Sequence, residues 1–115
     1  MVTKQQVIGI ELEGTIAARV KGTGWDFHAE DWVFNPDCLK GLKALHENDC
    51  YILIHTVYIN PEVDISRQVT EITKFMKKHG APFNSIHVEV GKPRMDFEVD
   101  IRDDIMEYLR DGHKW

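Results

Sequence analysis

The chain has 115 residues, too few for two ordinary domains, so one domain over residues 1–115 is expected. A hydrophobic share of 43% supports a core and 29% charged residues a wet surface, which excludes disorder and a long coiled coil. Nineteen acidic residues against fourteen basic ones leave a net charge of −5, which excludes a broad nucleic-acid face. No apolar run approaches the roughly 18 residues of a membrane span. The stretch Met1 to Gln6 holds no signal-peptide core, so the cytoplasm is the expected compartment. Cys38 and Cys50 have neither metal-ligand nor disulfide spacing and read as small buried hydrophobes.

In chain order, Val7–Leu12 is a short β-prone apolar run that ends at Glu13-Gly14-Thr15. The following stretch, Ala17 to Asn35, reads as a loop carrying Trp25, Phe27, His28, Trp32 and Phe34. These aromatics fit either a plug over one end of a sheet or a recognition surface. Asn35-Pro36-Asp37 predicts a helix start, with Leu39, Leu42 and Leu45 on one face as far as Asn48. Cys50–Thr56 is nearly continuously apolar, as a strand buried on both faces should be. Pro61 to His79 predicts a longer helix, with Ile65, Val69, Ile72, Phe75 and Met76 at helical spacing and Gly80 as its stop. Ile86–Val90 reads as a third strand, and alternation at Phe97, Val99 and Ile101 as a fourth. Asp103–Arg110 reads as a terminal helix with Ile105, Met106 and Leu109 turned inward.

Strand–helix alternation predicts a parallel sheet covered by helices, and ligands of such sheets bind beyond the carboxyl ends of the strands. Those ends carry Glu11 and Glu13, Thr56, Lys92 and Asp100. Each has an ordinary explanation alone, as a solvated pair, a strand cap or a surface charge. Together and in order they predict a site. Six scattered histidines show no zinc spacing; His46 and His79 fall near helix C-termini, where positive charge is favourable.

The ordered set resembles the haloacid dehalogenase-like phosphohydrolases in their small capless form, over Val7 to about Leu109. The family's D-x-D-G-T strand end is matched by Glu11-Leu12-Glu13-Gly14-Thr15, and its second-strand Thr or Ser by Ile54-His55-Thr56. Its Lys in a G-K-P context is matched by Gly91-Lys92-Pro93. The run x-x-D-x-x-I-D-D-R that often follows is matched by Arg94 to Arg102, with Asp96, Val99, Asp100 and Arg102 in place. The resemblance implies a Rossmann-like three-layer α/β/α sandwich with a parallel sheet of about four strands, order 4-1-2-3, and no cap domain.

It also implies roles. Glu11 stands for the nucleophile, Glu13 for the general acid/base, Thr56 and Lys92 for the groups that hold the phosphoryl charge. Glu11, the Glu13 carbonyl and Asp100 stand for the ligands of Mg²⁺. The chain departs from the family where both motif-one aspartates are glutamates, where Ile101 replaces the second acid of the fourth motif, and where Thr56-Val57-Tyr58 lacks the Arg that often follows the second-strand Thr. A second register takes Asp103-Asp104 as that acidic pair but puts Arg102 at an apolar strand position. A carboxylate displaced by about an ångström can cost roughly 10²-fold in rate. The expectation is therefore a catalytically degenerate member that binds a phosphate-containing ligand or a protein partner. The alternative is an active Mg²⁺-dependent phosphatase acting on a phosphate monoester.

Overall fold

The computed structural model describes residues 5–88, 93 and 95–99. The chain is a mixed α/β fold with a parallel sheet and helices packed on it, as the alternation of elements predicts. Strand β1 is Val7–Glu11, followed by short strands β2 (Ala17–Arg19) and β3 (Trp32–Phe34). Helix α1 is Leu39–Glu47, strand β4 Tyr51–His55, helix α2 Ile65–Lys78, and strands β5 and β6 are Ser85–Ile86 and Phe97–Val99. β1 pairs in parallel with β4 on one side and with β6 on the other, and β4 pairs in parallel with β5.

Register divides the sheet by chemistry. Ile8 is paired with Ile52 and Ile10 with Ile54, so all four isoleucines share one face, and all are completely buried. They form one cluster with Leu42 and Leu45 of α1 and Ile72, Phe75 and Met76 of α2. Each such buried side chain stabilises the fold by about 1.5–3 kcal/mol. The opposite face of β1 carries Val7, Gly9 and Glu11, and Met95 crosses it at Gly9, where a Cβ would collide with the methionine sulfur. The predicted helix Asp103–Arg110 lies outside the described residues, as do residues 89 and 90 of the predicted third strand and residues 100 and 101 of the fourth; of the rest of Ile86–Val90 only Ile86 is in β5, His87 and Val88 falling outside it.

The helices start and stop where their local chemistry directs. The Asn35 side chain accepts from Asp37 N at 3.1 Å, and Pro36 opens a 3₁₀ turn, Pro36–Cys38, that runs into α1. Helix α2 closes in a Schellman motif: Gly80 adopts φ 66°, its N–H donates to Lys77 O at 3.0 Å, and Ala81 N donates to Met76 O at 3.0 Å.

Two expectations need correction. Pro61 lies outside α2, which begins only after Asp64, whose carboxylate caps it by accepting from Arg67 N at 3.1 Å. Residues 60–64 are instead tied to the helix by the buried Gln68. The stretch Ala17 to Asn35 is not wholly loop either. Its ends pair as an antiparallel hairpin, Ala17 with Phe34 and Arg19 with Trp32. Three-residue strands are too short for alternation to reveal, and Ala17-Ala18-Arg19 has little β-propensity.

Candidate functional site

The chain leaves β1 into a tight turn. Glu11 is paired with His55, and Leu12 N donates to His55 O at 3.0 Å, which carries the pairing one step beyond the strand. Ile16 N and Ala17 N then both donate back to Leu12 O, at 3.0 and 2.9 Å, while Gly14 N donates to Ala17 O at 2.8 Å. Gly14 has φ 85°, a conformation that costs a side-chain-bearing residue about 1 kcal/mol or more. Asn35 fastens the turn from outside: its Nδ2 donates to Thr15 O at 3.0 Å and its N–H to Ile16 O at 2.7 Å. Leu12, Thr15 and Ile16 are buried, whereas Glu11 and Glu13 keep partial contact with solvent. The two carboxylates are thus presented on a rigid turn at the carboxyl end of the sheet.

Thr56 follows directly on β4, the strand next to β1. Its hydroxyl oxygen accepts from Tyr58 N at 3.1 Å. That bond uses a lone pair and leaves the hydroxyl's own proton able to donate. The structure therefore brings Glu11, Glu13 and Thr56 to the same edge of the sheet. Lys92, Asp100 and Ile101 lie outside the described residues, as do Asp103 and Asp104 of the second register. Among the described residues no group of three or more His, Cys, Asp or Glu side chains is placed to hold a metal ion. Asp96, which the family motif singles out, lies at the start of β6. Its carboxylate accepts from Val7 N at 2.7 Å and its N–H donates to Val7 O at 2.8 Å, so it sets the register of β6 at the far end from Glu11.

A charged cluster that no sequence pattern announced lies beside the hairpin. Arg67 of α2 donates to Phe27 O at 2.9 Å, to Asp26 Oδ2 at 2.6 Å and to the Glu71 carboxylate. His28 Nε2 lies 2.8 Å from Asp26 Oδ2, and its Nδ1 lies 3.2 Å from Arg67 Nη1. These partners fit an imidazole assigned with its proton on Nε2, donating to Asp26 and accepting from Arg67. Desolvation pushes the Asp26 pKa upward, but its backbone hydrogen bond, His28 and Arg67 outweigh it and hold the carboxyl below its ordinary 3.8. Arg67 is likewise held further into its charged form: desolvation opposes this, and hydrogen bonds and charge from Glu71 and Asp26 prevail. Only the i,i+4 spacing of Arg67 and Glu71 was visible in the sequence.

The aromatics of residues 17–35 divide between core and surface. Phe27, Trp32 and Phe34 are buried, but Trp25 is 61% exposed. Trp25 stacks on Tyr58 with ring centroids 5.5 Å apart and planes 15° apart. The Arg19 guanidinium carbon lies 5.2 Å from the Tyr58 centroid, and Trp32 meets Tyr58 edge-on at 5.0 Å. Comparison with protein-family models, curated proteins and solved structures gives no match to this chain.

Proposed function

We propose that this chain is a small capless haloacid dehalogenase-like phosphatase-fold protein, with a three-layer sandwich of strand order 4-1-2-3, that binds a phosphate-containing ligand with little or no turnover. The observation that carries the reading is the rigid Glu11-Leu12-Glu13-Gly14-Thr15 turn at the end of β1, with Thr56 at the end of the strand paired to it. Parallel sheets bind ligands beyond this edge, and the central position of β1 puts the turn there.

The chemistry follows from the residues. Thr56 donates its hydroxyl proton to a phosphoryl oxygen while Tyr58 N holds the hydroxyl in place. Lys92 supplies the positive charge that offsets the phosphate. Glu11, the Glu13 carbonyl and Asp100 are the proposed ligands for Mg²⁺, which would neutralise charge between carboxylate and phosphate. The described residues supply only part of that ligand set. Glu11 is one methylene longer than the aspartate an in-line attack requires, and a misplacement of that size can cost about 10²-fold in rate. Binding tolerates the longer arm better than attack does.

Thermal unfolding with Mg²⁺ and inorganic phosphate tests the reading. Saturation at ~100 times the dissociation constant should stabilise the fold by about 2.7 kcal/mol, and Thr56→Val should remove most of it. No shift at any phosphate concentration would refute phosphate binding and turn the search to a protein partner. Turnover of an aryl phosphate near ~1 s⁻¹ that vanished in Glu11→Gln would establish the active enzyme instead. Restoring Glu11→Asp/Glu13→Asp/Ile101→Asp should raise activity more than additively, because nucleophile, acid/base and metal act as a unit.

A further inference from the structure

A groove of about 410 Å³ lies between the hairpin and the second half of α2. One side of it is lined by Trp32, Val33 and Phe34, which together are the whole of β3. Successive side chains of a strand point to opposite faces, and here Trp32 and Phe34 are buried while Val33 is 55% exposed. A space that touches all three therefore runs along the edge of the strand. It is the edge away from β2, none of whose residues lines the groove. The hydrogen bonds of the hairpin have the matching phase. Asn35 N donates to Ile16 O and Val20 N to Asp31 O, both at 2.7 Å, on either side of the pair Ala18–Val33. Alternation in an antiparallel ladder then turns the backbone groups of Val33 toward β2 and those of Trp32 and Phe34 away from it. Trp32 N is taken by Ala29 O, whereas the Trp32 carbonyl and the Phe34 N–H have no partner among the described residues. This acceptor and donor, two residues apart, are the pair that a single residue of an added strand can satisfy.

The other wall is one stripe of α2. Lys74 and Lys78 stand a helical turn apart, with Phe75 and the C-cap His79 beside them. His79 lies flat on Phe34, with centroids 4.5 Å and planes 5° apart, and meets Phe75 edge-on at 5.1 Å, which gives the groove an apolar inner wall. The helix dipole accounts for Lys78 in the last turn but not for Lys74 before it. Neither lysine has a carboxylate partner among the described residues, and Glu30 is the one acid on the lining. A free strand edge alone is ordinary in a small protein. Here the edge opens on an apolar groove with two unpaired cations across it. Those are the parts of a strand-addition site: backbone groups give affinity and side-chain contacts select the peptide.

We propose that the free edge of β3 and the Lys74–Lys78 stripe of α2 form a docking groove for an extended segment of a partner protein that carries both apolar and acidic side chains. The segment adds a third strand beside β3, and its carboxylates offset the charge of Lys74 and Lys78. This goes beyond the phosphate-site reading and does not depend on it, since none of Glu11, Glu13 and Thr56 lines the groove.

The experiment is an NMR titration of the isotope-labelled whole chain with three blocked hexapeptides. One alternates glutamate and valine, one alternates lysine and valine, and the third is the first with every peptide nitrogen methylated. At up to ~1 mM, the glutamate–valine peptide should bind, shift the Phe34 amide and slow its hydrogen exchange. The Val33 amide, already in the hairpin ladder, should keep its exchange rate. The lysine–valine peptide should bind more weakly. Methylation removes the backbone donors and blocks the edge, and should cost about 5-fold or more in affinity. Lys74→Gln/Lys78→Gln should weaken the acidic peptide by about 2- to 30-fold, with circular dichroism confirming that the exposed replacements leave the fold intact. No binding at ~1 mM, or equal affinity for the acidic and basic peptides, would overturn the proposal. So would undiminished binding of the methylated peptide, an unchanged Phe34 amide, or undiminished binding to the double variant.

Discussion

Gln68 is the buried polar residue on which the loop after β4 depends, and replacing it gives the sharpest structural test. Its side chain is completely buried on α2, where Oε1 accepts from Asn60 N at 2.7 Å. Nε2 donates to Asn60 O at 3.0 Å, Asp64 O at 3.1 Å and Val63 O at 3.3 Å. Gln68→Leu keeps the approximate volume and removes all four contacts. The groups of half-buried Asn60 would lose about 1–1.5 kcal/mol each, and the exposed Val63 and Asp64 carbonyls, which water can reach, less. The sum is about 3 kcal/mol. With an unfolding entropy of about 2.1 cal/mol/K per residue, this lowers Tm by about 12 °C for a chain of this length. A companion variant, Gln68→Glu, keeps the acceptor for Asn60 N but sets a carboxylate against three carbonyl oxygens. Burial and those carbonyls would raise its folded-state pKa, so its stability would be greatest at low pH and lost as the pH rises through that pKa. Calorimetry should find the Gln68→Glu deficit, relative to wild type, smaller at pH 4 than at pH 7. A fall below about 3 °C for Gln68→Leu, or a Glu deficit that does not shrink at pH 4, would refute the reasoning. The loop at stake carries Thr56 and Tyr58, so the same variant should also weaken the phosphate binding proposed above.

The Asp26 carboxyl, held below 3.8 in the folded state, contributes stability above about pH 4 that is lost as the pH falls through its lower folded-state value. Asp26→Asn should therefore lower Tm at pH 7 and show a shallower further loss between pH 5 and pH 2, measured by calorimetry; parallel curves would refute it. Burial pushes the Cys38 thiol up to about 12 and the Cys50 thiol to about 11, with Asp37 and Asp49 adding to the rise. Neither should react with a disulfide reagent at pH 8 until the chain is unfolded, whereupon both should; rapid native labelling would contradict their burial. Gly9→Ala drives a methyl group into Met95, and since that side chain can give way, the cost should be about 1–2 kcal/mol in urea unfolding. An unchanged midpoint would mean that Met95 does not cover the second face of β1.

Much of the fold could be read without a structure because it rests on local or periodic causes. The alternation of elements, the Asn35 cap with Pro36 behind it, and the Gly80 stop are each written within a few neighbouring residues. So is the apolar stripe of α2. The strand-end residues Glu11, Glu13 and Thr56 could be proposed in advance because strand ends follow from strand boundaries, and register then brings β1 and β4 side by side. Only tertiary structure decided the rest. It pairs Ala17–Arg19 with Trp32–Phe34, buries Phe27 while leaving Trp25 in water, and turns Asp96 into a register clamp for Val7, 89 positions away. It also moves Pro61 out of the helix, through Gln68, and selects Asp26 as the second partner of Arg67 beside the i,i+4 neighbour Glu71. The reason is physical: a short strand or an ion pair across some 40 residues is stabilised by groups distant in the chain, while the Gln68 amide, whose partners lie within eight residues, gives no periodic signal that its side chain will replace a helical turn.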